Sequence, residues 1–151
     1  MNNYRFYLVL PLFLLANPAF SQKNKRAENA VKATITRFFE GMEKGDTALL
    51  RSTCTSDPVF QTYMADKSGN FEVHTEDFGD FVDFVGAPRK DKYKEEIKFG
   101  AVHTEKSLAS AWMPYVFYLN GKVSHSGTNS FQLVKTGDGW KIQYIIDTRR
   151  K

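Results

Sequence analysis

His125, Asn129, Asp147 and Tyr115 are the side chains in this sequence best suited to chemistry. In an extended segment side chains alternate between faces, so Val123, His125, Gly127, Asn129, Phe131 and Leu133 share one face of a strand over 122–135. The apolar members point that face inward. His125 and Asn129 then stand as polar groups on an apolar concave surface, the pattern of a ligand pocket. Imidazole is the usual general base near neutral pH. An aspartate at 147 would orient the ring of His125 if strand register joined them, and Tyr115 would donate to a developing enolate or alkoxide. The candidate catalytic set is therefore His125, Asp147 and Tyr115, and the candidate ligand-binding set is Asn129, Phe131, Tyr63 and Trp112. Gly127, between His125 and Asn129, either leaves room for a ligand or marks a bulge.

The elements that must position these residues follow from periodicity. Val31, Ile35, Phe38, Phe39 and Met42 fall on one helical face, which predicts an amphipathic helix over 26–44 stopped at Gly45. Asp46 caps a short helix to about residue 53. Pro58 breaks it, and 59–63 has strand composition. A turn over 65–70 leads to a short strand at 71–74. Thr75 is an N-cap for a third helix over 76–85, with Phe78, Phe81, Val82 and Val85 inward. From residue 91 the period changes to two, which predicts strands over 92–103, 107–119, 122–135 and 140–147. Asn120-Gly121 is a two-residue hairpin turn, and the other links are short, so these strands form an antiparallel meander. The fold class is α+β.

Strand 107–119 is apolar on both faces. Ala109, Ala111, Met113, Tyr115 and Phe117 lie on one, and Trp112, Val116 and Tyr118 on the other. An apolar sheet face that helices do not cover marks an interface, so a homodimer through the sheet is expected. Pro114 cannot donate to the ladder, which predicts a bulge or bend there.

At the start of the chain, Arg5 precedes a ten-residue apolar run, 7–16, too short to span a bilayer permanently and of signal-peptide length. Ala19 and Ser21 are small residues before a cleavage point between Ser21 and Gln22. The expected organisation is a signal peptide over 1–21, a basic tail over 22–26, one domain over 27–148 and a basic tail over 149–151. The product is exported, periplasmic or secreted, with no permanent membrane span after cleavage. All 17 acidic residues lie within the domain, whereas Arg5, Lys23, Lys25, Arg26, Arg149, Arg150 and Lys151 lie outside it. The formal charge of +4 therefore belongs to the ends, and the interspersed charges of the body argue against a nucleic-acid partner. Cys54 is the only cysteine, so no internal disulfide, CxxC or zinc site is expected, and neither a metal nor another cofactor.

The stretch from Phe39 to Asp46, Phe-Glu-Gly-Met-Glu-Lys-Gly-Asp, resembles the end of helix one in the nuclear transport factor 2-like superfamily. Ser126-Gly-Thr-Asn-Ser-Phe-Gln-Leu133, Gly139-Trp-Lys-Ile142 and Ile146-Asp-Thr148 resemble its last two strands. Within that superfamily the chain is similar to small exported bacterial proteins of the SnoaL-like, lumazine-binding-labelled group. The resemblance covers nearly all of the mature chain. It implies a cone: a curved antiparallel sheet packed on about three N-terminal helices, with a pocket at the open end. The superfamily includes ketosteroid isomerases, scytalone dehydratases and polyketide cyclases as well as binding and assembly proteins, so a shared fold does not carry function across. Three functional classes fit these residues. One is an exported small-molecule-binding or accessory domain with a small apolar or aromatic ligand. Another is an isomerase- or dehydratase-type enzyme using His125 as general acid or base. The third is a dimeric protein-interaction module.

Overall fold

The computed structural model describes residues 18–150. The apolar run of the expected leader lies outside the described residues. Helix α1 (Pro18–Lys44) starts earlier than periodicity predicts, so residues 22–26 are helix turns continuous with the rest of α1. Val31, Ile35 and Phe38 are buried on the face the spacing gives them. Asp46 caps α2 (Thr47–Thr53) by accepting from the Leu49 amide at 2.9 Å.

Strand β1 (Cys54–Ala65) is longer than expected and contains Pro58. Pro58 falls where the pairing of β1 is interrupted, between Cys54 and Val59, so its missing N–H costs no ladder bond there. The turn after Ala65 leads to β2 (Phe71–Glu76), which runs through the predicted helix start. Helix α3 (Phe78–Gly86) begins later because Asp77, not Thr75, caps it, accepting from the Asp80 amide at 3.0 Å. Val82 and Val85 are buried and Phe78 and Phe81 pack on the core.

The strand predicted over 92–103 is two strands, β3 (Tyr93–Ile97) and β4 (Val102–Thr104), both paired with β5 (Leu108–Leu119). Pro114 accounts for the break. Its carbonyl accepts from the Lys98 amide, so its donor-less nitrogen also faces that neighbour, and the neighbour loops out over 98–101. The pairing of Pro114 with Thr128 on the other side is regular. The meander continues with β6 (Lys122–Thr136) and β7 (Gly139–Arg150). Asn120 and Gly121 both take positive φ, 54° and 77°, as the tight hairpin requires. β7 runs into the expected C-terminal tail, with Arg149 opposite Gly127 and Arg150 opposite Ser126.

The sheet order is β2-β1-β7-β6-β5-β3. Its strands are not all antiparallel, contrary to the expectation from sequence. The sheet is mixed, because β1 lies parallel to β7. Short links force the β5–β6–β7 segment to be antiparallel, but no short link joins β1 to β7, and a long connection permits either direction. The three helices pack on the concave side of a curved, unclosed sheet. The core joins Val31, Ile35 and Phe38 of α1 to Phe131 and Leu133 of β6 and Ile142 of β7.

Arg89 ties the open end together. Its guanidinium donates to the Val85 carbonyl at 2.7 Å and the Met42 carbonyl at 2.8 Å, so one side chain satisfies carbonyls at the ends of both α1 and α3. It also lies 4.8 Å from the centre of the Tyr93 ring. Among the described residues no helix is long and apolar enough to cross a membrane.

Candidate functional site

The upper half of α1, α3 and the concave face of the sheet do not close on one another. They leave a cavity of about 480 Å³. Phe38, Phe39 and Met42 of α1 wall one side, Phe81 and Phe84 of α3 another, and Phe117, Phe131 and Ile145 the sheet side. The apolar stripe of α1 thus serves two purposes. Val31 and Ile35 fill the core, and Phe39 and Met42 are left half-buried against the open space. Phe131 forms the floor, with its ring centre 6.0 Å from that of Phe38 and 5.9 Å from that of Phe39.

A polar cluster crosses this aromatic chamber. Tyr115 donates its hydroxyl to Asp147 Oδ2 at 2.6 Å, and Thr62 donates to Asp147 Oδ1 at 2.6 Å. Asn129, opposite Asp147 in the ladder, donates from Nδ2 to Glu95 Oε1 at 2.8 Å. Arg149 stands near Asp147, its Nε 3.9 Å from Oδ2. Two strand irregularities create this convergence. In β7, Gln143 is an extra residue between the pairs Gln132–Tyr144 and Leu133–Ile142. Trp140 and Ile142 face inward before it, and Ile145 and Asp147 after it, so the bulge turns Asp147 into the cavity. In β6, Ser124 is the extra residue, and beyond it Val123 turns outward, 64% exposed, contrary to the alternation expected from sequence.

Gly127 is neither a ligand gap nor a bulge. It pairs with Tyr115 on one side and Arg149 on the other. A Cβ there would lie 1.7 Å from the Thr148 carbonyl oxygen and 2.7 Å from Tyr115 Cε1. The missing side chain lets the tyrosine ring cross β6 to reach Asp147.

The titrating groups divide by environment. Burial pushes the Glu95 carboxyl up to about 7, against the Asn129 hydrogen bond and with help from the Asp147 charge. Burial, and then the hydrogen bond to Asp147, hold the Tyr115 phenol protonated far above its ordinary range. Burial and the Arg149 charge lower the His125 pKa, against Asp147, so the ring is neutral at pH 7. Between about pH 4.5 and 7 the folded state keeps a proton on Glu95 that the unfolded chain releases, so this group's stabilisation is lost as pH rises through about 7. His125 works oppositely below its ordinary value, so comparison with a variant isolates Glu95. Glu95→Gln keeps the acceptor for Asn129 and abolishes the titration. It is expected to be more stable than the parent by about 3 kcal/mol at pH 8 and by less than about 1 kcal/mol at pH 5. Urea unfolding at both pH values measures this, and equal stability at pH 8 would refute the buried-acid assignment.

The expected residues do not all meet. Tyr115, Asp147, Asn129, Phe131 and His125 line the cavity. The expected pairing of His125 with Asp147 does not form, since Tyr115 and Thr62 occupy the two carboxylate oxygens. The His125 ring instead stacks on Phe117, with ring centres 4.8 Å apart, and its Nδ1 lies 3.2 Å from Ser124 Oγ. Trp112 is 56% exposed on the outer face, opposite the cavity. Tyr63 is 42% exposed and packs against Phe71. Neither lines the cavity. Glu95, Thr62, Glu76 and Arg149 line it without having been singled out from sequence. One signal existed for Glu95: in Tyr93-Lys-Glu-Glu-Ile97 it occupies an inward position between two apolar ones. Cys54 is buried and its thiol is pushed up to about 11 by that burial, which makes it unreactive. Among the described residues no group of three His, Cys, Asp or Glu side chains is placed to hold a metal ion.

No protein-family model matches the sequence, and no curated protein matches it. Solved structures do. An NTF2-like protein of unknown function from Shewanella baltica is 14% identical, with a TM-score of 0.64 over 84% of this chain and 96% of that one. An NTF2-like protein with a cystatin-like fold from Novosphingobium aromaticivorans is 13% identical, with a TM-score of 0.67 over 92% of each chain. An NTF2-like superfamily protein from Salmonella enterica is 17% identical, with a TM-score of 0.61 over 84% of this chain and 93% of that one. At these identities the likeness is one of fold.

Proposed function

We propose that this chain, which has the nuclear transport factor 2-like fold, is an exported small-molecule-binding domain. Its ligand is small and largely apolar or aromatic, with one polar end. The observation that carries this reading is the cavity of about 480 Å³, walled by aromatic rings and crossed by a few fixed polar groups. That volume and lining suit a small organic ligand. Tyr115 and Thr62 already satisfy Asp147, and Asn129 already pairs with Glu95, so these groups form a rigid polar patch that requires no ordering when a ligand enters. Binding has more support than catalysis by His125, because no carboxylate orients that ring. NMR titration with a set of small aromatic compounds tests the reading. Shifts confined to Met42, Phe117, Ile145 and their neighbours are expected, and shifts on the outer sheet face alone would refute it.

The expected leader over 1–21 supports the export part of this reading, with the periplasm or the outside of the cell as the destination. We further propose that the outer sheet face joins two copies. Trp112, 56% exposed, stands there with the half-buried Val116 and Tyr118. Light scattering at micromolar concentration should give a dimer for the parent and a monomer for Trp112→Glu. A parent that is monomeric at that concentration would remove the dimer.

A further inference from the structure

We infer that the cavity selects a cationic ligand: an apolar or aromatic body bearing an organic ammonium group, seated between the aromatic wall and the carboxyls of Glu95 and Glu76. The inference rests on the reading of the cavity as a ligand site. Its first support is charge. Carboxyls enter the lining from three strands, Glu76 on β2, Glu95 on β3 and Asp147 on β7. Among the described lining residues Arg149 is the one permanent cation, and it faces Asp147. His125 on β6 is held neutral, and the Tyr115 phenol on β5 keeps its proton. Glu95 and Glu76 have no ion pair among the described residues, and the Arg149 charge favours ionisation of each only as a secondary influence that burial outweighs. Glu95 receives one side-chain hydrogen bond, from Asn129, a neutral donor, so no cation is in contact with its carboxyl among the described residues.

The second support is the wall itself. Phe84 stacks on Tyr93 with ring centres 5.9 Å apart, Tyr93 meets Phe117 at 5.8 Å, and Phe117 meets His125 at 4.8 Å. This run of rings borders the side on which Glu95 sits. Aromatic faces attract organic cations, most strongly where water is excluded. Tyr93 already takes one cation, the Arg89 guanidinium at 4.8 Å. An ammonium ligand would gain both the ring faces and the two carboxyls that lack a contacting cation. A carboxylate ligand of the same shape would face two like charges.

Linkage fixes the pH dependence. A bound cation favours ionised Glu95, so its affinity rises as pH passes upward through about 7, and Asp147, Arg149, His125 and Glu76 alter the midpoint without changing the sign. Isothermal titration with benzyltrimethylammonium, 3-phenylpropanol and 3-phenylpropionate at pH 6 and pH 8 tests this, because the quaternary charge does not titrate. The expected result is that the cation binds about tenfold tighter than the alcohol at pH 8. That advantage should shrink at pH 6 and fall about fivefold in Glu95→Gln. The anion should bind weakest at pH 8. Equal binding of alcohol and cation, unchanged in Glu95→Gln, would overturn charge selection and leave the cavity reading standing. Binding of none of the three, with no NMR shift at Met42 or Phe117, would overturn the cavity reading as well.

Discussion

Gly127→Ala is expected to lose about 3 kcal/mol of folding stability or more, the upper range for overpacking a filled interior. The added Cβ meets a backbone carbonyl at 1.7 Å, and a carbonyl in a sheet ladder cannot rotate away as a side chain can. β6 and β7 must separate at the point where Thr148 and Asp147 stand. The second clash, with Tyr115 Cε1 at 2.7 Å, expels the ring from the gap it crosses. Tyr115 then loses Asp147, and a buried carboxylate that loses a donor bears a desolvation penalty of about 1–3 kcal/mol. Urea denaturation of the parent and the variant measures the sum. Parent-like stability would mean that Tyr115 does not cross the strand at this residue.

Phe131→Ala is expected to cost roughly 3–5 kcal/mol, the usual range for deleting a buried aromatic ring. Phe131 is fully buried and touches the rings of both Phe38 and Phe39. Unlike the Gly127 variant, it leaves the ladder intact and removes the floor of the cavity. The void it creates is apolar and contiguous with the cavity. Small aromatic compounds should therefore stabilise Phe131→Ala more than they stabilise the parent, since a dry apolar void readily takes an apolar guest. Thermal melts with and without benzyl compounds read both effects. A loss under 1 kcal/mol would show that neighbouring side chains collapse into the site.

The contrast between these residues shows what sequence can and cannot reveal here. Phe131 was legible because it lies in an unbroken alternation from His125 to Leu133, and periodicity of two reports burial directly. The face of Trp112 was legible for the same reason, although its membership of the pocket was wrong: a residue on the outer face cannot reach a concave cavity. Asp147 was found for its chemistry, but its partner was not. The extra residue at Gln143 changes which face Asp147 takes, and bulges leave no periodic trace. Partner choice also depends on β1, which brings Thr62 beside Asp147 through a parallel pairing between strands far apart in sequence. Hairpin links at Asn120-Gly121 fix antiparallel neighbours, but nothing local fixes a parallel one. Glu95 was missed because a charged side chain in a strand reads as solvated. Its inward neighbours Tyr93 and Ile97 were the one indication otherwise.

Arg89 illustrates a further limit. A single arginine after a helix, following Pro88, looks like surface charge in the sequence. In the fold it satisfies helix-end carbonyls from segments over forty residues apart and packs on Tyr93. It thereby joins α1, α3 and β3, each of which supplies residues to the cavity wall.

The central claim is that this cavity holds a small molecule. Native mass spectrometry of the protein purified from the exported fraction of its own host tests it most directly, with a Met42→Trp variant alongside to narrow the cavity. The account predicts a mature chain lacking residues 1–21 that carries a small molecule, lost on denaturation and lost or depleted in Met42→Trp. An unliganded mature chain, or a ligand retained equally by Met42→Trp, would contradict it.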